Sequence, residues 1–142
     1  MSRALPHLLI VEDDPVDLLA IQRQLGALGL VNPVTVARDG VEALEYLRGE
    51  RGRPRLPRPC VILLDLQLPR MNGIDLLSEL GHDEELRQAP VFALTTSPHD
   101  LERLAYHGCA VSGAIDKREI AQVLPGLLRP DGVNGAANDH AD

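Results

Sequence analysis

Val61-Ile62-Leu63-Leu64-Asp65-Leu66-Gln67-Leu68-Pro69-Arg70-Met71-Asn72-Gly73 is the stretch on which the fold turns. A continuous apolar run, built from β-branched and leucine side chains, reads as a strand buried on both faces, and the proline and glycine behind it mark a turn. The run ends in a carboxylate. An aspartate at the tip of such a strand faces out of the sheet's end, where its commonest role is to cap a turn or the next helix. Whether Asp65 does more depends on what else reaches the same edge.

Towards the N-terminus, His7 to Val11 is an apolar run of strand length. Glu12-Asp13-Asp14-Pro15 ends it and starts a helix, with Asp14 as N-cap and Pro15 at the first helical position. Leu18, Ile21, Leu25 and Leu28 then recur at intervals of three and four, giving one apolar stripe before Gly29 stops the helix. Pro33 to Ala37 is short and β-branched, a second strand. Asp39-Gly40 opens a second helix, whose Val41, Leu44 and Leu47 form the buried face and which ends near Gly49.

Towards the C-terminus, a helix from about Asn72 spaces Ile74, Leu77 and Leu80 for burial. Pro90 to Leu94 is a fourth strand closing on Thr95-Thr96-Ser97-Pro98, where Ser97 can cap and Pro98 can begin a helix running to His107. Cys109 to Ile115 holds a short fifth strand, and Lys117 follows it. Ile120, Val123, Leu124, Leu127 and Leu128 form a last amphipathic helix, which Pro125-Gly126 should kink or fray. Pro130 to Asp142 has almost no large apolar residue and is expected to be a disordered tail, so that residues 1 to 129 form the domain.

Strands that alternate with helices, and are apolar throughout, build an α/β sheet of five parallel strands, doubly wound with helices on both faces. Functional groups in such sheets collect beyond the carboxyl ends of the strands. Glu12 and Asp13 follow the first strand, Asp65 ends the third, Thr95 ends the fourth, and Lys117 comes just after the fifth.

Composition narrows the function classes. At 142 residues the chain is one domain by size, and no apolar run is long enough to span a bilayer or to form the core of a signal peptide. A cytoplasmic protein without membrane contact is the expectation. A net charge of −7 argues against nucleic acid as a partner, because phosphate binding needs clustered lysine and arginine. The single basic run, Arg48 to Arg58, reads as a solvated loop stiffened by proline. Cys60 and Cys109 lack metal-like spacing and read as small buried hydrophobes, and the scattered histidines form no zinc set.

The residues gathered at the sheet edge carry a definite chemistry. Three carboxylates brought together repel one another, and a divalent cation among them relieves the repulsion; Mg²⁺ suits hard oxygen ligands and takes few of them from a protein. Phosphoryl transfer needs a nucleophile, a metal and donors that hold the oxygens in line. Asp65 would be the nucleophile, Glu12 and Asp13 the metal holders, Lys117 a cation for one phosphoryl oxygen and Thr95 a hydroxyl donor for another.

Glu12-Asp13, Asp65 with Leu-Gln-Leu-Pro-Arg-Met-Asn-Gly behind it, Leu94-Thr95-Thr96 and Lys117, in this order, resemble a CheY-like response-regulator receiver domain over residues 7 to 129. CheY is itself an example of the doubly wound fold with strand order 2-1-3-4-5, which the resemblance implies here. Leu63 to Pro69, the long loop before it and Leu94 to Ser97 are further similar to single-domain regulators that serve bacterial phytochrome kinases.

The resemblance implies that Asp65 takes a phosphoryl group from a histidine kinase's phosphohistidine. Mg²⁺ would be held by Asp13, Asp65 and the backbone carbonyl of Gln67, and by Glu12 through water. A protein of this kind signals by contact, with the kinase or a histidine phosphotransfer protein as partner. It is a phospho-acceptor that assists its own phosphorylation and dephosphorylation, and not otherwise an enzyme. Because the chain stops soon after its last helix, no fused output domain is expected.

Three departures from the family pattern stand out. Ala114 occupies the place, three before the lysine, where most receivers have Tyr or Phe, so the usual aromatic switch cannot operate there. Arg118 follows the lysine where proline is common. Thr96 is bulkier than the usual Ala or Gly and is expected to slow loss of the phosphoryl group. The wide apolar arc of the last helix suggests a homodimer through that helix and the fourth and fifth strands.

The alternative is a Mg²⁺-dependent phosphatase-like enzyme on the same fold, which would want an Asp-x-Asp pair after its first strand; Asp65-Leu66-Gln67 is not such a pair. A flavin protein is disfavoured by an aromatic share of 2%, which leaves little to stack on the ring.

Overall fold

Five strands run parallel in one sheet: β1 (His7–Val11), β2 (Val34–Ala37), β3 (Cys60–Asp65), β4 (Val91–Thr95) and β5 (Gly113–Asp116), in the order β2-β1-β3-β4-β5. The architecture comes from a computed structural model that describes residues 6–57, 60–66, 73–95, 99, 102 and 111–128. Gln67, Thr96, Cys109 and the tail from Pro130 lie outside the described residues, as do the side chains of Leu127 and Leu128. Of the helix expected from Pro98 to His107, only His99 and Glu102 are described, both helical and 3.5 Å apart as a pair.

The helices are α1 (Pro15–Ala27), α2 (Gly40–Arg48), α3 (Gly73–Gly81) and α4 (Ile120–Leu128), with a short 3-10 helix at Leu86–Gln88. Successive strand residues point to opposite faces of the sheet, and two apolar cores follow. Leu9, Val11, Ile62, Leu64 and Ala93 pack with Leu44 and Leu47 of α2 and with Leu76 and Leu80 of α3. Leu8, Ile10, Leu63, Phe92 and Ile115 pack with Ile21 and Leu25 of α1 and Ile120 and Leu124 of α4. Every residue of β3 is buried, as an unbroken apolar run at the centre of a sheet covered on both faces must be. Among the described residues no helix is long and apolar enough to cross a membrane.

The caps sit where short acidic side chains precede helices. Asp14 accepts a hydrogen bond from the Val16 N–H at 2.9 Å with Pro15 opening α1, and Asp39 accepts from the Glu42 N–H at 2.7 Å. Gly49 ends α2 in the left-handed region, φ 70°, and a Cβ there would also come 2.9 Å from Cβ of Arg55 on the returning loop.

Several details differ from the sequence expectation. Leu28 is the C-cap of α1 and only half-buried. Ala43 and Leu76 are buried, while Val41 and Ile74 are half-buried, because each helix turns a slightly different arc to the sheet than simple spacing implies. β5 runs Gly113–Asp116, so the fifth strand lies at the end of the expected stretch and extends one residue past Ile115. Just before it, the Val91 carbonyl accepts the Ser112 N–H at 2.8 Å. α4 continues through Pro125 to Leu128; Pro125 and Gly126 are exposed, so the missing backbone donor is on the solvent side.

The basic loop is docked, not merely solvated. Arg53 reaches Glu42 at 3.1 Å and Glu45 at 3.2 Å and lies 4.4 Å over the Tyr46 ring. Arg51 pairs with Glu45 at 3.1 Å, Arg48 lies near Glu79 and Asp83, and Arg55 pairs with Glu85. Leu56 is buried and its N–H donates to the Tyr46 carbonyl. Glu42 and Glu45 are three apart on α2 and so present their carboxylates on one helix face, which the arginines then fill.

Candidate functional site

Parallel strands deliver their carboxyl ends to one edge, and the polar residues expected there arrive from the ends of four of the five strands. The Glu12 N–H donates to the Ala37 carbonyl at 3.0 Å, which extends the β1–β2 ladder by one residue and fixes where Glu12 and Asp13 emerge. Asp65 is the last residue of β3, in register with Leu94 of β4. Thr95 is one residue further along β4, opposite Asp116 of β5, and its carbonyl accepts the Lys117 N–H at 3.1 Å.

Glu12, Asp13 and Asp65 each offer a carboxylate oxygen, and these oxygens all lie within 4.8 Å of one another. Glu12 is fully buried, Asp65 is 6% exposed and Asp13 is exposed. The Lys117 ammonium sits among acidic groups, 3.0 Å from Glu12 Oε1 and 3.3 Å from Asp65 Oδ2. Glu12 Oε2 accepts the Asp14 N–H at 3.3 Å, whereas Oε1 is buried without a well-directed hydrogen bond despite the nearby ammonium. Three carboxylates with oxygens this close, one of them buried without a well-directed hydrogen bond, fit a divalent cation. Gln67, the expected carbonyl ligand, lies outside the described residues.

The electrostatics follow from that crowding. Burial pushes the Glu12 carboxyl up to about 7, Asp65 adds to the rise by hydrogen bond and charge, and Lys117 opposes it. Burial works against the Lys117 charge, but its bonds to Asp17 and Glu12 and the charge of Asp65 outweigh it and hold the ammonium above the ordinary lysine range.

A stability test follows from Glu12. Its folded-state value exceeds the ordinary 4.5, so protonated Glu12 stabilises the fold. That contribution is complete below pH 4.5 and is lost as pH rises through about 7. Wild type in chelator should therefore melt at a lower temperature as pH rises through this window. Glu12→Gln should lose that dependence; parallel melting curves for the two would show that Glu12 does not titrate there.

The residue after Lys117 explains one departure from the family pattern. Asp116 Oδ1 accepts the Arg118 N–H at 2.8 Å, and the two Asp116 oxygens also receive the guanidinium at 2.9 and 2.7 Å. Those bonds hold the Asp116 carboxyl down at about 2. The turn into α4 therefore uses a backbone donor that proline does not have. Ala114, at the place of the usual aromatic ring, is exposed on β5.

Two residues of α1 belong to the site and were not read from the sequence. Asp17 Oδ2 lies 2.8 Å from Lys117 Nζ. Gln24 Nε2 donates to the Lys117 carbonyl at 2.7 Å, and Gln24 Oε1 accepts the Ala121 N–H at 2.9 Å. Asp17 is an acidic residue in the first turn of α1, just after the acidic pair, which is a signal in principle. Gln24 carries none, because its partners are backbone groups far along the chain.

Residues 8–128 match the family described as the response regulator receiver domain. A probable methanogenesis regulatory protein, FilR2 of Methanothrix harundinacea, is 43% identical over 94 residues, 66% of this chain; the chain spans 59% of that protein's length. Response regulator Rcp1 of Synechocystis sp. is 28% identical over 124 residues, 84% of each chain. A manganese-bound form of Rcp1 superposes with a TM-score of 0.72 at 26% identity, over 88% of this chain and 96% of that one. The bacteriophytochrome response regulator AtBRR superposes with a TM-score of 0.72 at 36% identity, over 82% of this chain and 84% of its own. The parallel sheet ordered 2-1-3-4-5, the acidic cluster at its carboxyl edge and the match over nearly all of the described residues make one statement: this chain belongs to the response regulator receiver domain family.

Proposed function

We propose that the chain is a phosphorylation-dependent signalling regulator whose acceptor is Asp65, charged by the phosphohistidine of a histidine kinase. The observation that carries this reading is the meeting of Asp65, the acidic pair Glu12-Asp13 and Lys117 at one sheet edge, with Lys117 Nζ 3.3 Å from the Asp65 carboxylate. An Asp65 oxygen attacks phosphorus, the new O–P bond forms as the P–N bond breaks, and the imidazole leaves with the electron pair. The product is an acyl phosphate, which water reverses.

Lys117 neutralises charge on one phosphoryl oxygen, and the Thr95 hydroxyl donates to another. Glu12, Asp13 and Asp65, with the Gln67 carbonyl, would hold Mg²⁺. When bound, that ion screens the phosphoryl oxygens from the acidic cluster. The chain assists its own phosphorylation and dephosphorylation by these contacts. A phosphatase-like enzyme is not favoured, because the family speaks against it and Asp65-Leu66-Gln67 lacks the second aspartate of an Asp-x-Asp pair.

The partners proposed are a histidine kinase of the phytochrome type, on the likeness to the bacteriophytochrome response regulator AtBRR, and a histidine phosphotransfer protein. The domain is taken as residues 1 to 129, and the location as cytoplasmic. Association of two copies through α4, β4 and β5 is supported by the exposure of Val123 on α4 and Ala114 on β5; Ile120 and Leu124 belong to the core. Light scattering at high protein concentration is expected to give a dimer, and a monomer with and without a phosphoryl mimic would refute it.

The acceptor reading is tested by intact mass. Incubation with Mg²⁺ and a small phosphodonor should add one phosphoryl group to wild type and none after addition of chelator.

A further inference from the structure

Lys117 has more acidic partners than the acceptor chemistry asks of it. Its Nζ lies 2.8 Å from Asp17, 3.0 Å from Glu12 and 3.3 Å from Asp65. The shortest contact thus goes to a residue outside the acidic cluster, and the longest to the proposed acceptor. The backbone of Lys117 is meanwhile held on both sides, its N–H by the Thr95 carbonyl at 3.1 Å and its carbonyl by Gln24 Nε2 at 2.7 Å. Gln24 also receives the Ala121 N–H at 2.9 Å, so the start of α4 is tied to the same side chain. With the main chain pinned from β4 and α1, any change in what the ammonium touches must come from the side chain.

We infer that Asp17 is a positioning residue that holds Lys117 in the resting state and is displaced when a phosphoryl group arrives on Asp65. An ammonium has three N–H donors, and here three carboxylates draw on them. A phosphoryl group carries its charge further from the end of β3 than the Asp65 carboxylate does, and Lys117 Nζ must follow it. Glu12 is fully buried, so giving up its ammonium would strand a charge away from water. The Asp17 side chain is 40% exposed, and water can solvate it once released. Asp17 is therefore the contact that yields at least cost.

Because the interaction stabilises only the resting state, removing it favours the phosphorylated one. The inference rests on Asp65 being the acceptor.

The test is the affinity for beryllofluoride, a phosphoryl mimic, in the presence of Mg²⁺, read by fluorine NMR on the whole chain. Asp17→Asn should bind it about fivefold more tightly than wild type, the scale of a partly exposed ion pair. Asp14→Asn removes the same unit of charge from the same acidic stretch without touching Lys117, and asparagine caps a helix equally well, so it should stay within about twofold. A gain in affinity is also something structural damage does not produce.

Unchanged or weaker binding by Asp17→Asn, with wild type binding normally, would overturn the inference alone: the phosphoryl group would then simply take the place of the Asp65 oxygen. An equal gain in Asp14→Asn would reduce the effect to net charge and overturn it too. Failure of wild type to bind would overturn the acceptor reading and this inference with it.

Discussion

Asp65→Asn is expected to abolish the gain of one phosphoryl mass that wild type shows with Mg²⁺ and a small phosphodonor. The amide oxygen of asparagine is a poor nucleophile, and no other carboxylate can replace Asp65 without changing the geometry. Glu12 is fully buried and drawn towards Lys117, and Asp13 is exposed beyond the strand end. The substitution preserves shape at a position only 6% exposed, so the fold should survive it. It also removes a negative charge that helps push the Glu12 carboxyl upward. In chelator the variant should therefore melt no lower than wild type at neutral pH, and loss of phosphorylation cannot then be ascribed to unfolding. Equal mass gain in wild type and variant would remove Asp65 from its role.

Gly73→Ala is the substitution with the largest expected effect on stability. The first residue of α3 packs directly on the end of β3: its N–H donates to the Leu66 carbonyl at 3.2 Å. A Cβ there would come 2.6 Å from the Leu66 Cα and 3.0 Å from the Asp65 carbonyl oxygen. Both obstacles are backbone, so neither can swing aside, and the strand end or the helix must shift. Overpacking of this kind costs about 1–3 kcal/mol. Gly81→Ala at the other end of α3 is the comparison, since nothing lies within 4 Å of a Cβ there. Helix propensity alone should make that variant neutral or slightly more stable. Urea midpoints for the pair measure the gap, and a Gly73→Ala midpoint equal to wild type would mean that α3 can move off β3 freely. Because the obstacle includes Asp65, the same variant should also phosphorylate more slowly than wild type.

Much of this was legible beforehand because it depends on local patterns. The unbroken apolar character of residues 61 to 64 can be satisfied only by a strand covered on both faces, and β3 is such a strand. Asp14-Pro15 and Asp39-Gly40 open helices by short-range hydrogen bonds that involve residues within a turn of each other. The edge location of Glu12, Asp65, Thr95 and Lys117 followed from the single rule that parallel strands present all their carboxyl ends together.

Other features depend on which distant surfaces meet. The arginines of the loop before β3 look like a solvated basic run until α2 brings Glu42 and Glu45 under them, 11 and 8 residues from Arg53. Arg118, which reads as a departure from the family pattern, serves because its N–H closes a turn onto Asp116.

The sequence alone determined the alternation of strands and helices, the strand ends at which chemistry collects and the identity of the acidic and basic groups found there. Periodicity and capping act over a few residues, and strand direction then does the rest. Only the tertiary structure decided how Lys117 is held. Asp17 and Gln24 reach it from 100 and 93 residues away in the chain, and Gln24 meets backbone atoms that every residue has. No local pattern encodes such a meeting, because it exists only when α1 and α4 pack side by side on one face of the sheet.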